Sequence, residues 1–284
     1  MKYGNDFVDE QYSSILEPNL FADTVIIPGI TYDDNFEGDV KSGLVHFYKE
    51  NKGDRSDPES PAGDFNDENT GNALIDVRLN NAYRKSKKIY QVTANSCSYN
   101  KAEVNLSLAV QENRDDKQAS ALACLVNEGT ATNSTAETIS GKAIEARKTL
   151  RKKHAKPDVV FASVDAFASM LEEAGTKYTP STNDRIITTG QVGNYLGMTW
   201  FEVDALEGVA KYFGFDSDET AKEVNLDNVE LVVYDHTALK IADNLSMMRL
   251  KDSERFTGVL AQNEINSGFR VSNKDKVAVI TKTV

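Results

Sequence analysis

Along the chain, apolar residues first settle into a regular rhythm in "GLVHFYK", where Val45 and Phe47 alternate with Leu44, His46 and Tyr48. A period of two is the mark of a strand with one buried face. The alternation returns in "ALIDVRLNNAYRKSKKIYQV", with Leu74, Asp76 and Arg78 opposing Ile75, Val77 and Leu79. Between them lies "ENKGDRSDPESPAGDFNDENTGN", polar throughout, rich in Gly, Pro, Asp and Asn, and without a period. Two strands flanking a polar tip predict an extended hairpin, and connections beyond about 15 residues are usually functional or unstructured.

Val104, Leu106, Leu108 and Val110 also repeat at two, yet from Asp115 the spacing turns helical: Ala119, Leu122, Ala123 and Val126 form one stripe and Gly129 a stop. One long helix between Lys101 and Glu128 is expected, its start contested by the period-two run. From Ser140 helices and strands alternate. "SGKAIEARKTLRKKHAKP" reads as a helix ending in a cluster of bases before Pro157, and "DVVFAS" as a short buried strand. "SVDAFASMLEEAG" reads as a helix with Ser163 as N-cap, one face made of Phe167, Met170, Leu171 and Ala174, and Gly175 at its end. "VELVVYD" is a further buried strand, "SMMRLKD" and "GFRVSN" are antiparallel strands, and "DKVAVITKT" closes the chain. Residues 1–35, apart from a short apolar run at 24–27, show little periodicity and read as an arm that buries little by itself.

Composition narrows the function classes. The 284 residues suffice for a sizeable core or two domains, with 40% hydrophobic and 27% charged residues in the ordinary globular range. Acidic residues outnumber basic ones 44 to 32, and a chain of net charge −12 repels polyphosphate at long range, which argues against nucleic acid as a specific ligand. Cys97 and Cys124 show neither zinc spacing nor a disulfide framework. The N-terminal sequence lacks the apolar core of a signal peptide, and no run approaches the roughly 18 apolar residues of a membrane span, so no membrane partner is expected.

No motif carries convincing chemistry. "GQVGNYLGMTW" spaces Gly190, Gly193 and Gly197 as G-x-x-G-x-x-x-G, matching neither a dinucleotide fingerprint nor a P-loop, and the strand-like "MTWFEV" follows it in place of a helix. A structural turn is expected, with Trp200 entering a sheet. Asp235 and His236 are neighbours on a strand and so expected on opposite faces, without a nucleophile elbow nearby. His46 and His154 add no metal-binding pair. The acidic stretches "DDNFEGD" and "DFNDENTGN" offer oxygen ligands, but the second lacks the glycine at the sixth position and the glutamate at the twelfth that an EF-hand loop uses, and both read as solvated loops. Arg147, Lys148, Arg151, Lys152, Lys153 and Lys156 suit a helix C-terminus, where each cation is worth about 0.3–1 kcal/mol at the surface. They lack the interleaved aromatics of a base-stacking surface, and the acidic surface of a neighbouring copy is another partner for them. No catalytic, cofactor-binding or metal-binding residue is assigned.

The order of segments, with "FEGDVKSG" before the hairpin, "GQVGNYLGMTWFEV" in the α/β part and "SERFTGVLAQNEINSGFRV" before the closing strand, resembles the major capsid proteins of tailed bacteriophages with the HK97-type fold. The resemblance covers most of the chain in element order. It implies an α+β fold made of an N-terminal arm (1–38), an extended hairpin or E-loop (39–92), a peripheral domain with its spine helix (93–140 and 245–274) and an α/β axial domain (141–244 and 275–284). It further implies a non-enzymatic virion subunit, assembled in the host bacterial cytoplasm as hexamers and pentamers of one chain around double-stranded DNA, with separate scaffolding and portal proteins. The expected subunit contacts are Tyr12, Ile15, Leu16 and Phe21 in the arm, Lys49, Arg55, Asp64 and Phe65 in the hairpin, and Arg147, Arg151 and Lys152 at the helix end. Lys49, Lys52 and Asn273 do not align with the crosslinking lysine and asparagine of that family, so no covalent crosslink is expected. An encapsulin-like shell around enzyme cargo shares the same fold, and a soluble α/β enzyme or ligand-binding module is the alternative from another class.

Overall fold

The computed structural model describes residues 24–36, 43–50, 72–91, 100–177, 194–204, 206–215, 220–244 and 247–282. In chain order the elements begin with β1 (Leu44–Glu50), β2 (Asn72–Arg78), β3 (Asn81–Tyr90), helix α1 (Lys101–Glu128) and β4 (Thr130–Ala131). Then come α2 (Ile139–Lys152), β5 (Val159–Ala162), α3 (Val164–Lys177), β6 (Asn194–Tyr195), β7 (Met198–Glu202), β8 (Val209–Tyr212) and β9 (Lys222–Asn225). The last are β10 (Val229–Tyr234), β11 (Leu239–Asp243), β12 (Met247–Asp252), β13 (Gly258–Val271) and β14 (Val277–Thr281).

Strands β1 and β2 form the hairpin that the alternation predicts, with Leu44 opposite Arg78 and Glu50 opposite Asn72. Val45, Phe47, Ile75 and Val77 are buried together with Ala242, and the rings of Phe36 and Phe47 meet edge to face. The Lys240 ammonium lies 5.0 Å from the centre of the Phe47 ring. At the root of the hairpin the Arg78 carbonyl presses onto Gly268, where an added Cβ would sit 2.4 Å from that oxygen.

The sequence pattern ran β3 together with this hairpin, but the structure gives it another partner. Strand β3 pairs antiparallel with β13 from Asn81 opposite Ser267 to Tyr90 opposite Gly258. On its other edge β13 pairs with β12 in its first half and with β11 in its second. "MMRLKD" therefore lies against Val259–Glu264, and "GFRV" against Leu239–Ala242. Helix α1 crosses this four-stranded sheet, where buried Asn113 donates from Nδ2 to the Asn263 Oδ1 and backbone oxygens at 2.5 and 3.2 Å.

The helix begins where its cap allows. The Asn100 side chain accepts from the Glu103 amide, and the Gly129 amide closes the last turn on Leu125 O. The period-two run at Val104–Val110 is absorbed into the helix because the surrounding Ala, Leu, Glu, Gln and Lys favour it and the sheet below buries one side. From Ser120 to Leu125 every residue is buried, for here the helix is enclosed between sheets.

The second sheet is six-stranded in the order β4-β14-β10-β5-β7-β6. Its central strands read "VVFA", "VELVVY" and "VAVIT", near-continuous apolar runs of the kind that needs cover on both faces. Val159, Phe161, Val232, Tyr234, Val277 and Val279 point toward α1, whereas Val160, Ala162, Leu231, Val233, Ala278 and Ile280 point toward α2 and α3. Helix α3 places Phe167, Met170 and Ala174 in that second core, as its stripe requires, and runs past Gly175 to Lys177. A carboxylate of α3, Glu173, receives the Ile139 and Ser140 amides at 2.8 and 3.1 Å and so caps α2 from a neighbouring element. The fold is α+β, and no helix among the described residues is long and apolar enough to cross a membrane.

Candidate assembly surfaces

Helix α2 delivers the basic cluster to the surface. The helix is stopped by a left-handed residue, His154 at φ 64, whose amide donates to Arg151 O while Ala155 N donates to Leu150 O, the double bond of a Schellman ending. The stop leaves Lys148, Arg151 and Lys152 exposed around the helix end, without ion pairs among the described residues. Arg147 behaves differently. Its guanidinium lies over the two-residue turn between β6 and β7, with Nη2 at 3.2 Å from the Cβ that Gly197 lacks, and its buried Nε has no hydrogen-bond partner. Leu196 and Gly197 both have positive φ, 57 and 72, the conformation that joins adjacent antiparallel strands most tightly. The structural reading of this glycine is thus met, and Trp200 enters β7 with its indole N–H donating to Tyr195 O at 3.0 Å. Gly190 and Gly193 lie outside the described residues.

Of the predicted contact residues, the structure brings together Arg147, Arg151 and Lys152. Lys49 is exposed near the far end of β1, opposite Ala73, and is not part of that group. Tyr12, Ile15, Leu16, Phe21, Arg55, Asp64 and Phe65 lie outside the described residues. Two apolar surfaces went unread in the sequence. Tyr48 and Leu74 face each other across the hairpin on its open side, 59% and 54% exposed. Strand β12 is exposed at every residue, Met248 and Leu250 included. Their signal was present as apolar residues on the wrong side of an alternating strand.

Among the described residues, no catalytic constellation is assembled at the histidines. Asp235 and His236 were expected on opposite faces of one strand, but β10 ends at Tyr234, and His236 begins a 3-10 turn that Asp235 caps. The Asp158, Asp235 and His236 ligand atoms consequently lie within 4.8 Å of one another. Each oxygen there already has a donor. Asp158 takes the His236 backbone and Nδ1, and Asp235 takes Thr237 on one oxygen and the Lys156 amide on the other. Burial works to raise the Asp235 carboxyl, but the Thr237 hydrogen bonds and the Lys276 charge outweigh it and hold it below the usual range. The cluster is a hydrogen-bonded corner that fastens the turn after β10. His46 is likewise satisfied, 2.6 Å from Asp76 across the hairpin. In "DDNFEGD", Asp33 pairs with Lys240. Cys124 is fully buried, and burial with the nearby Glu128 carboxylate pushes its thiol up, away from the reactive thiolate. A cavity of about 170 Å³ beside the start of α3 is lined by Ile139, Ser163, Asp165 and Lys282 among others, and is smaller than the roughly 300 Å³ at which ligand pockets begin.

No family model matches the chain, and no curated protein does. Solved structures do match, end to end. A chain of Mycobacterium phage Che8 is 16% identical, with 97% of each chain covered and a TM-score of 0.71. One in the capsid structure of the cyanophage P-SCSP1u is 10% identical, with 98% of this chain and 94% of that chain covered and a TM-score of 0.69. One in the asymmetric unit of the bacteriophage PhiM1 mature capsid is 11% identical, with 94% and 92% covered and a TM-score of 0.55. The fold is that of phage capsid chains.

Proposed function

We propose that this chain is the major capsid subunit of a tailed phage, self-assembling into an icosahedral shell around double-stranded DNA. The observation that carries the reading is the end-to-end likeness to capsid chains over more than nine-tenths of both chains. In HK97-type terms, α1 is the spine helix and the β3-β13-β12-β11 sheet beneath it the peripheral domain. The six-stranded sheet with α2 and α3 is the axial domain, and β1 with β2 the E-loop. The pairing of β3 with β13 favours ending the E-loop near Arg78 instead of at residue 92. Residues 1–38 are the arm. Hexamers and pentamers of the same chain form the shell, with scaffolding and portal proteins supplied separately and DNA enclosed without sequence readout, since a net charge of −12 lets packaged DNA slide. Many weak contacts per subunit give a stable particle because each chain joins several neighbours at once.

Sedimentation of the full chain, expressed with and without the phage's own head-assembly proteins, tests this. The reading expects the protein in fast-sedimenting particles that dissociate into uncrosslinked single chains on a denaturing gel. Recovery only as monomers refutes it, and particles filled with a protein cargo and no DNA replace it by the encapsulin-like alternative.

A further inference from the structure

The unit built on the six-stranded sheet carries opposite charge at its two ends. Helix α2 runs from one end to the other, about 21 Å for its 14 residues. At its last turns Arg147, Lys148, Arg151 and Lys152 gather without ion pairs among the described residues, next to Lys153, which Asp275 matches at 2.6 Å. The opposite end is fixed by strand direction. Strands β5 and β7 run parallel with Ala162 level with Glu202, and α3 starts just beyond Ala162. Ile139, the first residue of α2, lines the same small cavity as Asp165. Asp165 and Glu202 are therefore exposed at the end where α2 begins, and exposed Glu207 is held there too, since Gly208 O accepts from Leu226 N just before β10 starts. Of the described lysines at this end, Lys142 is taken by Glu230 at 2.6 Å and Lys282 is exposed beside the cavity, so the acids outnumber the free cation.

We infer that these two ends are the halves of one contact, the cationic end of one copy seating on the anionic end of the next. This rests on the subunit reading above and names its contact surfaces. A cationic end on a chain of net charge −12 has its most abundant complement in the chain itself. Two-fold pairing through either end would set like charges face to face. A head-to-tail contact instead matches them, and heterologous contacts of this kind close into rings when the rotation between copies allows. Charge complementarity of this type fixes register and speeds encounter, and salt weakens it. A nucleic-acid ligand for the same cations is disfavoured by the absence of aromatics among them.

The test uses two variants of the full chain: R151E/K152E, which cancels the charge of the cationic end and leaves the anionic end intact, and E202K/E207K, which reverses the anionic end and leaves the cationic end intact. All four positions are exposed, so each variant should keep the wild-type melting temperature. Sedimentation velocity should show about a tenfold or greater loss of self-association for either double variant, and strong association when the two are mixed, because the mixture keeps one intact pair of complementary ends. Loss that mixing does not restore overturns the inference, as does unchanged assembly of the double variants. Binding of a short DNA duplex that R151E/K152E abolishes while assembly persists also overturns it, in favour of a nucleic-acid surface. The two readings fail separately: shells from every variant leave the subunit reading standing without this contact, and pairing of the mixed variants without shells leaves the contact standing without the shell.

Discussion

Replacing Gly268 by Ala probes the place where the hairpin is held to the body of the subunit. The added methyl would meet the Arg78 carbonyl oxygen at 2.4 Å, the Arg78 carbonyl carbon at 2.9 Å and Val77 Cγ1 at 2.7 Å. Real Cβ atoms do not come within about 3 Å of backbone, so β2 must lift from β13 by several tenths of an ångström. The lift is resisted by the buried cluster of Val45, Phe47, Ile75, Val77 and Ala242. Inserting a methylene into such a contact costs about 1–3 kcal/mol, and for a chain of this size each kcal/mol lowers the melting temperature by about 2–4 °C. Thermal unfolding of unassembled protein should therefore show a fall of a few degrees. Amide exchange should accelerate at Val45, Val77 and their partners while α2 and α3 keep their protection. Adding Val77→Ala removes one of the clashing groups and leaves the carbonyl, so it should not restore stability. A Gly268→Ala protein with wild-type stability and exchange would refute the idea that the hairpin root is set by this close approach.

Further expectations concern other parts of the fold. His154→Gly should raise stability by about 0.5–1 kcal/mol, because a left-handed helix stop suits glycine, and equilibrium denaturation would show an unchanged or lower midpoint if the Schellman ending is not formed. Asn113→Ala should destabilise by about 1–3 kcal/mol by removing the Nδ2 donor from the buried Asn263 Oδ1, measured by the same denaturation. Burial works to raise the Asp33 carboxyl, but Lys240 and Asn35 hold it below its ordinary 3.8. Its contribution is present above the unfolded value and is lost as pH falls through the lower folded value, so stability should decline below about pH 4 and Asp33→Asn should flatten that decline. Cys124 should resist a thiol reagent in native protein and react on unfolding, and fast native labelling at this residue would contradict its burial.

Much of this fold was legible because its elements bury one side or both. The strands at Val45 and Phe47, and the apolar runs at 159–162, 229–234 and 277–281, announce their burial in period and composition. What stayed hidden was partnership. Nothing local says that β3 leaves the hairpin for β13, since Tyr83, Lys85 and Lys87 alternate equally well in either pairing; their match to α1, with Lys85 on Asp116 at 2.7 Å, is a tertiary fact. The Asp158–His236 pairing was hidden for the same reason, two residues 78 positions apart joined by the end of a strand. The basic end of α2 was visible as a run, but its acidic counterpart was not, because Asp165, Glu202 and Glu207 are scattered in sequence and collected only by the fold, the first two by the parallel pairing of β5 with β7.

The central claim is that this chain builds a closed shell, and electron cryomicroscopy of the assembled protein tests it most directly. The account predicts uniform icosahedral particles tens of nanometres across, whose map places the α2 end of one copy beside the Glu202 end of the next. Monodisperse 31.3 kDa monomers under every assembly condition, with no particles in the micrographs, would contradict it.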